Sequence, residues 1–262
     1  THGDRLRAVV STSYRRLDNH ELIEPLLPVL ADLGFDFNYV KMGPHGQAAA
    51  NYNSFALTEQ RMYIKLTTPR VQTEVRRGDV VQFGLCISNS DVGAGSVRVE
   101  PFLLMLSCDN GMVMETALRQ AHLGRNVAGD DIEELLSDET KALDDKAFFA
   151  KVRDVVVGSA RPEIFERAVN KLREADGVAI KNLDLPIVVE RTLKEIGVSA
   201  NEGVRKSILE NLADGAHGRG LTKYGLANAF TWAAGNADGL DYDGATELER
   251  AGGRIIEIGG KG

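Results

Sequence analysis

Sulfur and aromatic side chains are scarce in this chain. Of 262 residues, two are Cys, one is Trp, six are Tyr and nine are Phe. Two cysteines, Cys86 and Cys108, cannot supply a disulfide scaffold. Neither has the second Cys or close His that a zinc ligand set requires. Both fall in stretches that read as strands, where free thiols are commonly buried. No run reaches the roughly 18 apolar residues of a membrane-spanning helix, so no membrane partner is expected. The opening THGDRLRAVV has no apolar signal-peptide core, so the expected location is the cytoplasm of a host cell. Cofactor and catalytic signatures are missing too. The short Gly93-Ala94-Gly95 lacks the third glycine and following helix of a dinucleotide fingerprint, and no HExxH, EF-hand loop or kinase set occurs. No cofactor, no metal ligands and no catalytic residues are therefore assigned, and an enzyme is the less favoured class.

What the chain does have is an uneven charge. The net charge is −7. Residues 1–129 hold 13 basic and 13 acidic side chains, whereas residues 130–262 hold 18 and 25. The acidic sum disfavours bulk attraction to nucleic acid. The first half leaves room for a local basic face, because 11 of its 13 cations are Arg, whose planar fork binds phosphate and stacks on bases.

The hydrophobic pattern changes period midway. Residues 18–34 read as a helix with a leucine stripe, shortened or restarted by Pro25 and Pro28. Alternation then takes over at 35–40, 62–66, 79–87 and 97–108, the mark of strands with one face on a core. Arg61 and Lys65 fall on the side away from the apolar one. Gly93–Ser96 and Asp109-Asn110-Gly111 read as hairpin turns. From about 129 the period is helical, with helices expected near 129–157 (as one helix or two), 159–176, 185–196, 200–213, 222–234 and 245–258. Ser199 and Glu202 read as a capping box for the fourth of these, and Thr222 as the cap of the fifth, after a Gly215–Gly220 loop. The expected fold class is α+β. An antiparallel β-meander fills residues 1–128 with one N-terminal helix, and a helical region, 129–262, packs on the same core.

Several residues invite chemistry. Asn89-Ser90-Asp91 ends a strand and reads as a hairpin shoulder, since these side chains bond their own backbone. Cys108 with His122, joined by Asp91 and Asp109, would make a hydrolase or nuclease only if all four converge. The Asp238, Asp241 and Asp243 cluster lacks a calcium loop and reads as a solvated turn. The arginines are the broader signal. Arg15, Arg16, Arg61, Lys65, Arg76, Arg77, Arg119 and Arg125, with Tyr63 as a stacking ring, suit single-stranded nucleic acid on a sheet face.

Three stretches carry a resemblance: YRRLDNHELIEPLLPVL, GDVVQFGLCISNSDVGAGSVRVEPFLLMLSCDNGMV and LTKYGLANAFTWAA. Together they resemble an uncharacterised family of phage/plasmid-like proteins found in prophages and conjugative plasmids. That family often has an Arg before its C-x-N-G strand and an R-H-T-G-like run after it. Here those places read Leu103-Leu104-Met105 and Ala121-His122-Leu123-Gly124. The resemblance implies a protein of a mobile genetic element. A meander followed by helices, with a basic sheet face, also looks like phage single-strand-annealing recombinases, at the level of fold analogy. The expected function is accordingly single-stranded DNA binding in recombination or annealing. The alternative is a phage structural or host-interaction protein that uses the acidic stretches 130–139 and 238–249. A homo-oligomer is expected, because Asp36, Lys41 and Glu115 are the only charges on the candidate edge strands near 35–41 and 112–118.

Overall fold

Period-2 alternation produces three long neighbouring strands, which organise everything else. In the computed structural model, residues 9, 17–35, 41–42, 53–114, 118–120, 137–181 and 184–258 are described. The strands are β1 (Lys41–Met42), β2 (Ser54–Leu57), β3 (Met62–Arg76), β4 (Asp79–Asn89), β5 (Val97–Met105), β6 (Asn110–Val113) and β7 (Leu118–Gln120). They form one sheet in the order β1-β2-β3-β4-β5-β6, with β7 also paired to β5. Strands β2 to β6 make an antiparallel meander, and the short β1 joins β2 in parallel, a departure from a purely antiparallel sheet. Register shifts in β3 between Thr67 and Gln72, and between Glu74 and Arg76, bend its outer end. Helices α1 (Asn19–Ile23) and α2 (Leu27–Asp32) precede the sheet, and α3 (Asp138–Ser159), α4 (Pro162–Asp176), α5 (Leu185–Ile196), α6 (Glu202–Ala213), α7 (Lys223–Asn236) and α8 (Tyr242–Glu257) follow it. The α+β class read from the sequence is the class observed.

Local chemistry accounts for most boundaries. Pro25 lies between α1 and α2, and Pro28 sits in the first turn of α2, where its missing N–H costs nothing. Leu22, Leu26 and Leu30 carry the stripe across the break and are buried. The Ser137 hydroxyl accepts the Thr140 N–H and opens α3. Thr222 caps α7 by accepting the Gly225 N–H at 3.0 Å. The cap of α6 is Asn201, accepting the Val204 N–H at 2.8 Å, and not Ser199. Asn201 wins because its side chain sits directly before the first helical residue, where an orphan N–H is in reach.

The sheet is buried on both faces. One face carries Ile64, Leu66, Phe83, Leu85, Ile87, Val97, Val99 and Leu103, packed with the α1–α2 leucines. Phe165 of α4 meets Phe83 there edge-on at 6.0 Å. The other face carries Tyr63, Lys65, Cys86, Glu100, Phe102 and Val113, and α8 lies on it. Helix α7, buried around most of its circumference, packs between α6, α8 and the β6 edge.

Close approach of α8 depends on two adjacent glycines. A Cβ on Gly253 would run into the Val113 carbonyl, and one on Gly252 into the Thr231 methyl. Gly253→Ala is expected to destabilise the fold by about 1–3 kcal/mol, because the obstructing atom is backbone and cannot turn away. Gly158→Ala, whose Cβ would meet nothing within 4 Å, is expected to be neutral or to stabilise by up to about 1 kcal/mol. Urea unfolding of the two variants checks both signs; equal midpoints would mean that α8 is not seated this tightly.

Candidate nucleic-acid interface

The sequence expectation put cations on an open sheet face, and the structure distributes them differently. Tyr63 is fully buried, its hydroxyl donating to Asp243 at 2.5 Å, with Tyr242 beside it at 5.2 Å between ring centroids. Lys65 is buried and ion-paired with Glu249 at 2.5 Å. Burial opposes the Lys65 charge, but Glu249, Tyr242 and Cys86 together more than offset it and hold the ammonium protonated. Burial pushes the Glu249 carboxyl up, and the same ammonium opposes that push. We take both groups as ionised, because neutralising either would leave the other charge buried alone. Arg61 donates to the Ala94 carbonyl at 2.5 Å and contacts Asp243 at 3.5 Å. Tyr63 and Lys65 are thus enclosed under α8 and Arg61 is tied to it. The reason is that alternation separates two faces of a strand but does not say that the more polar one meets water.

The remaining candidates fall in three groups. Arg15, Arg16, Arg125 and His122 lie outside the described residues. Arg119 is in β7, opposite Arg98. Arg76 and Arg77 form the tip of the β3–β4 hairpin, where Arg77 is exposed. Arg76 reaches Asp79 at 3.8 Å and Asp176 at 3.7 Å.

Around that tip the structure assembles a cluster that the sequence did not announce. The β3–β4 tip, the β5–β6 turn and the Gly215–Gly220 loop meet at one end of the sheet. Arg219 is fully buried there and donates to Asp79 at 2.6 Å and to Ser107 Oγ at 3.0 Å. Its guanidinium carbon lies 4.9 Å from the centre of the Tyr224 ring. Burial opposes the Arg219 charge, and Tyr224, Cys108 and Asp79 together more than restore it. Asn110 Nδ2 donates to Asn228 Oδ1 at 3.1 Å, and the Cys108 thiol points at the same oxygen at 3.4 Å. Arg173 of α4 donates to the Glu74 carbonyl at 2.5 Å and the Val75 carbonyl at 3.3 Å, holding the hairpin from outside. Next to Arg219, the exposed His217 imidazole covers Trp232, with ring centroids 4.5 Å apart. Burial, then Arg219, lowers the His217 pKa, so the ring is uncharged at neutral pH. The signals that could have found this cluster are the His and Arg interleaved among three glycines at 215–220 and the single Trp.

The other motifs have structural roles. Asn89 donates to the Leu17 carbonyl at 3.0 Å and to Asn19 Oδ1 at 2.8 Å, pinning α1 to β4. Ser90 Oγ donates to the Gln60 carbonyl at 2.7 Å and accepts the Ala94 N–H at 2.9 Å, as a turn shoulder should. Asp91 follows the far end of β4, whereas Cys108 lies past the β5 end that pairs near the start of β4. An 11-residue strand separates them, about 30 Å or more of extended chain. Asp91 and Cys108 therefore do not converge. Burial also pushes the Cys108 thiol up and Cys86 up to about 12, the opposite of nucleophile activation. Of the acidic stretch near 240, Asp241 caps α8 through the Gly244 N–H, Asp243 holds Tyr63, and Glu247 pairs with Arg254. Each of these three carboxylates holds a contact within the fold. Compared with family models, curated proteins and solved structures, the chain matches none.

The buried pair anchors the cluster. Arg219→Met leaves Asp79 charged and enclosed, so a loss of about 3–5 kcal/mol is expected. Asp79→Asn should cost a comparable amount, and the double variant clearly less than the sum of the two. Additive losses in a denaturation cycle would show that the pair does not act as a unit.

Proposed function

We propose that this protein binds single-stranded nucleic acid as an intracellular accessory factor of a phage or plasmid, in recombination or annealing, and that it works as a homo-oligomer. One observation carries the reading: the cations at the β3–β4 end are sorted by depth. The Asp79 carboxylate is turned inward to Arg219, while Arg77 is exposed with no carboxylate within ion-pair distance among the described residues. Arg173 spends its donors on carbonyls and Asn170, so its charge is not cancelled by an acid. The outward side of this end therefore keeps Arg77 and Arg173 without a carboxylate partner among the described residues, while Arg76 lies near Asp79 and Asp176. Exposed guanidiniums of this kind contact phosphates without reading sequence. The resemblance to phage/plasmid-like proteins supports the mobile-element setting. The thin edge strand β1, two residues long, is where a second copy could extend the sheet.

Fluorescence anisotropy with a labelled single-stranded oligonucleotide at 50 and 200 mM salt tests the reading. Binding should weaken steeply with salt through counterion release, and Arg76→Ala/Arg77→Ala should lower the log–log slope by about 1–1.5. Absent or salt-insensitive binding sinks the proposal. Sedimentation of the same samples should give a mass well above the 28.5 kDa chain; a monomer with and without oligonucleotide removes the oligomer from it.

A further inference from the structure

We propose that the solvent-facing side of the His217–Trp232 pair is a stacking seat for one unpaired nucleobase, with the adjoining phosphate taken by Arg76. The inference rests on the nucleic-acid reading above and narrows it to a named contact. Three observations converge on it. First, the pair is the aromatic surface of this basic end. The rings sit 4.5 Å apart with their planes 54° from parallel, His217 exposed and Trp232 half-buried. Trp232 is the position where α7 turns its largest ring outward, between the buried Thr231 and Ala233. Second, a cation is in place beside it. A Cβ built on Gly218, the residue after His217, would lie 3.8 Å from Arg76 Nη2, so this nitrogen borders the loop that carries the ring, while Nε and Nη1 of the same guanidinium lie 3.8 Å from Asp79 and 3.7 Å from Asp176. Third, the loop that carries His217 is glycine-rich and fixed in place. Gly215, Gly218 and Gly220 flank His217, and Arg219 beneath is locked to Asp79. The uncharged imidazole stacks as an aromatic ring at neutral pH, leaving Arg76 to meet the phosphate. An aromatic surface with a neighbouring cation is the pairing that single-strand binding uses, stacking being tolerant of base identity.

Because Trp232 is the only tryptophan, its emission reports on this seat alone. The full chain is titrated with an oligothymidylate and with an abasic deoxyribose-phosphate oligomer of the same length, following tryptophan emission and the anisotropy of a terminal label. The thymidylate should quench Trp232, and the abasic oligomer should bind more weakly and leave emission unchanged. His217→Ala and Trp232→Leu should each weaken thymidylate binding about five- to hundredfold, with abasic affinity and salt slope unchanged. If Trp232→Leu fails to fold, the exposed His217→Ala carries the test. Salt-dependent thymidylate binding with unmoved emission and unaffected variants overturns the stacking seat and leaves the broader reading standing. Failure of both oligomers to bind overturns the two together.

Discussion

The seating of α8 on the polar face of the sheet is the constraint on which the rest depends. Between them lie Lys65 with Glu249, Arg250 with Glu100 and Tyr63 with Asp243, all largely withdrawn from water except Asp243, which is half-buried. Arg250 grips Glu100 with two nitrogens at 2.6 and 3.1 Å, the planar fork matched to a carboxylate. Such pairs contribute little net stability, since desolvation offsets most of the attraction. Their effect is on register. Lys65, Cys86 and Glu100 lie on one rung across β3, β4 and β5. A slip of one residue would turn Lys65 and Glu100 into the apolar face and leave Glu249 and Arg250 buried alone. Apolar packing supplies the adhesion, through Ala245, Leu248, Ala251 and Ile255 on the other side of α8, and the charges decide where adhesion occurs.

The same division of labour recurs at the β3–β4 end, where it bears on function. Asp79 is the first residue of β4 and Arg219 closes the glycine-rich loop before α7, 140 positions later. Their contact ties the sheet end to the helical half. Two classes of arginine result. Arg219, Arg250 and Arg61 are internal fasteners, matched to carboxylates or carbonyls of α8 and the sheet. Arg77, with Arg76 at the border, is left outward. A sequence lists them all alike, and only the fold separates those that hold the structure from those left at the surface.

That separation marks the limit of what was legible. Alternation located β4, β5 and the first third of β3, and the leucine stripe, Pro28, Thr222 and the helical periods located α2 and α4 to α8 within a few residues, because each rests on local geometry; the outer part of β3 went unread, and α3 is described from Asp138 rather than from about 129. What failed was partnership at long range. Tyr63 and Lys65 read as a ligand face because their partners, Asp243 and Glu249, are 180 or more residues away. Ser199 read as a cap because Glu202 stands three positions on, yet Asn201 is two residues nearer the helix. The Gly215–Gly220 stretch read as a plain loop because nothing local marks Arg219 as the partner of Asp79.

The shape of that loop links strain to exposure. Gly215, Ala216, His217 and Gly218 all lie at positive φ, between 48° and 83°. For the two glycines this costs nothing, but for Ala216 and His217 it costs about 1 kcal/mol or more each. Such a run persists only when its surroundings fix it several times over. Here the Ala216 N–H donates to the Asn211 carbonyl at 2.8 Å, the Gly220 N–H to the Gly215 carbonyl at 3.0 Å, and the Ala216 methyl is fully buried. Arg219, held by Asp79, closes the other side. The left-handed turn reverses the side-chain directions of a right-handed one, so Ala216 points in, Arg219 reaches the sheet, and His217 is presented outward over Trp232. A relaxed loop of the same length would have no reason to put an imidazole there. The strain is thus tied to one consequence, the outward placement of the His217 ring over Trp232.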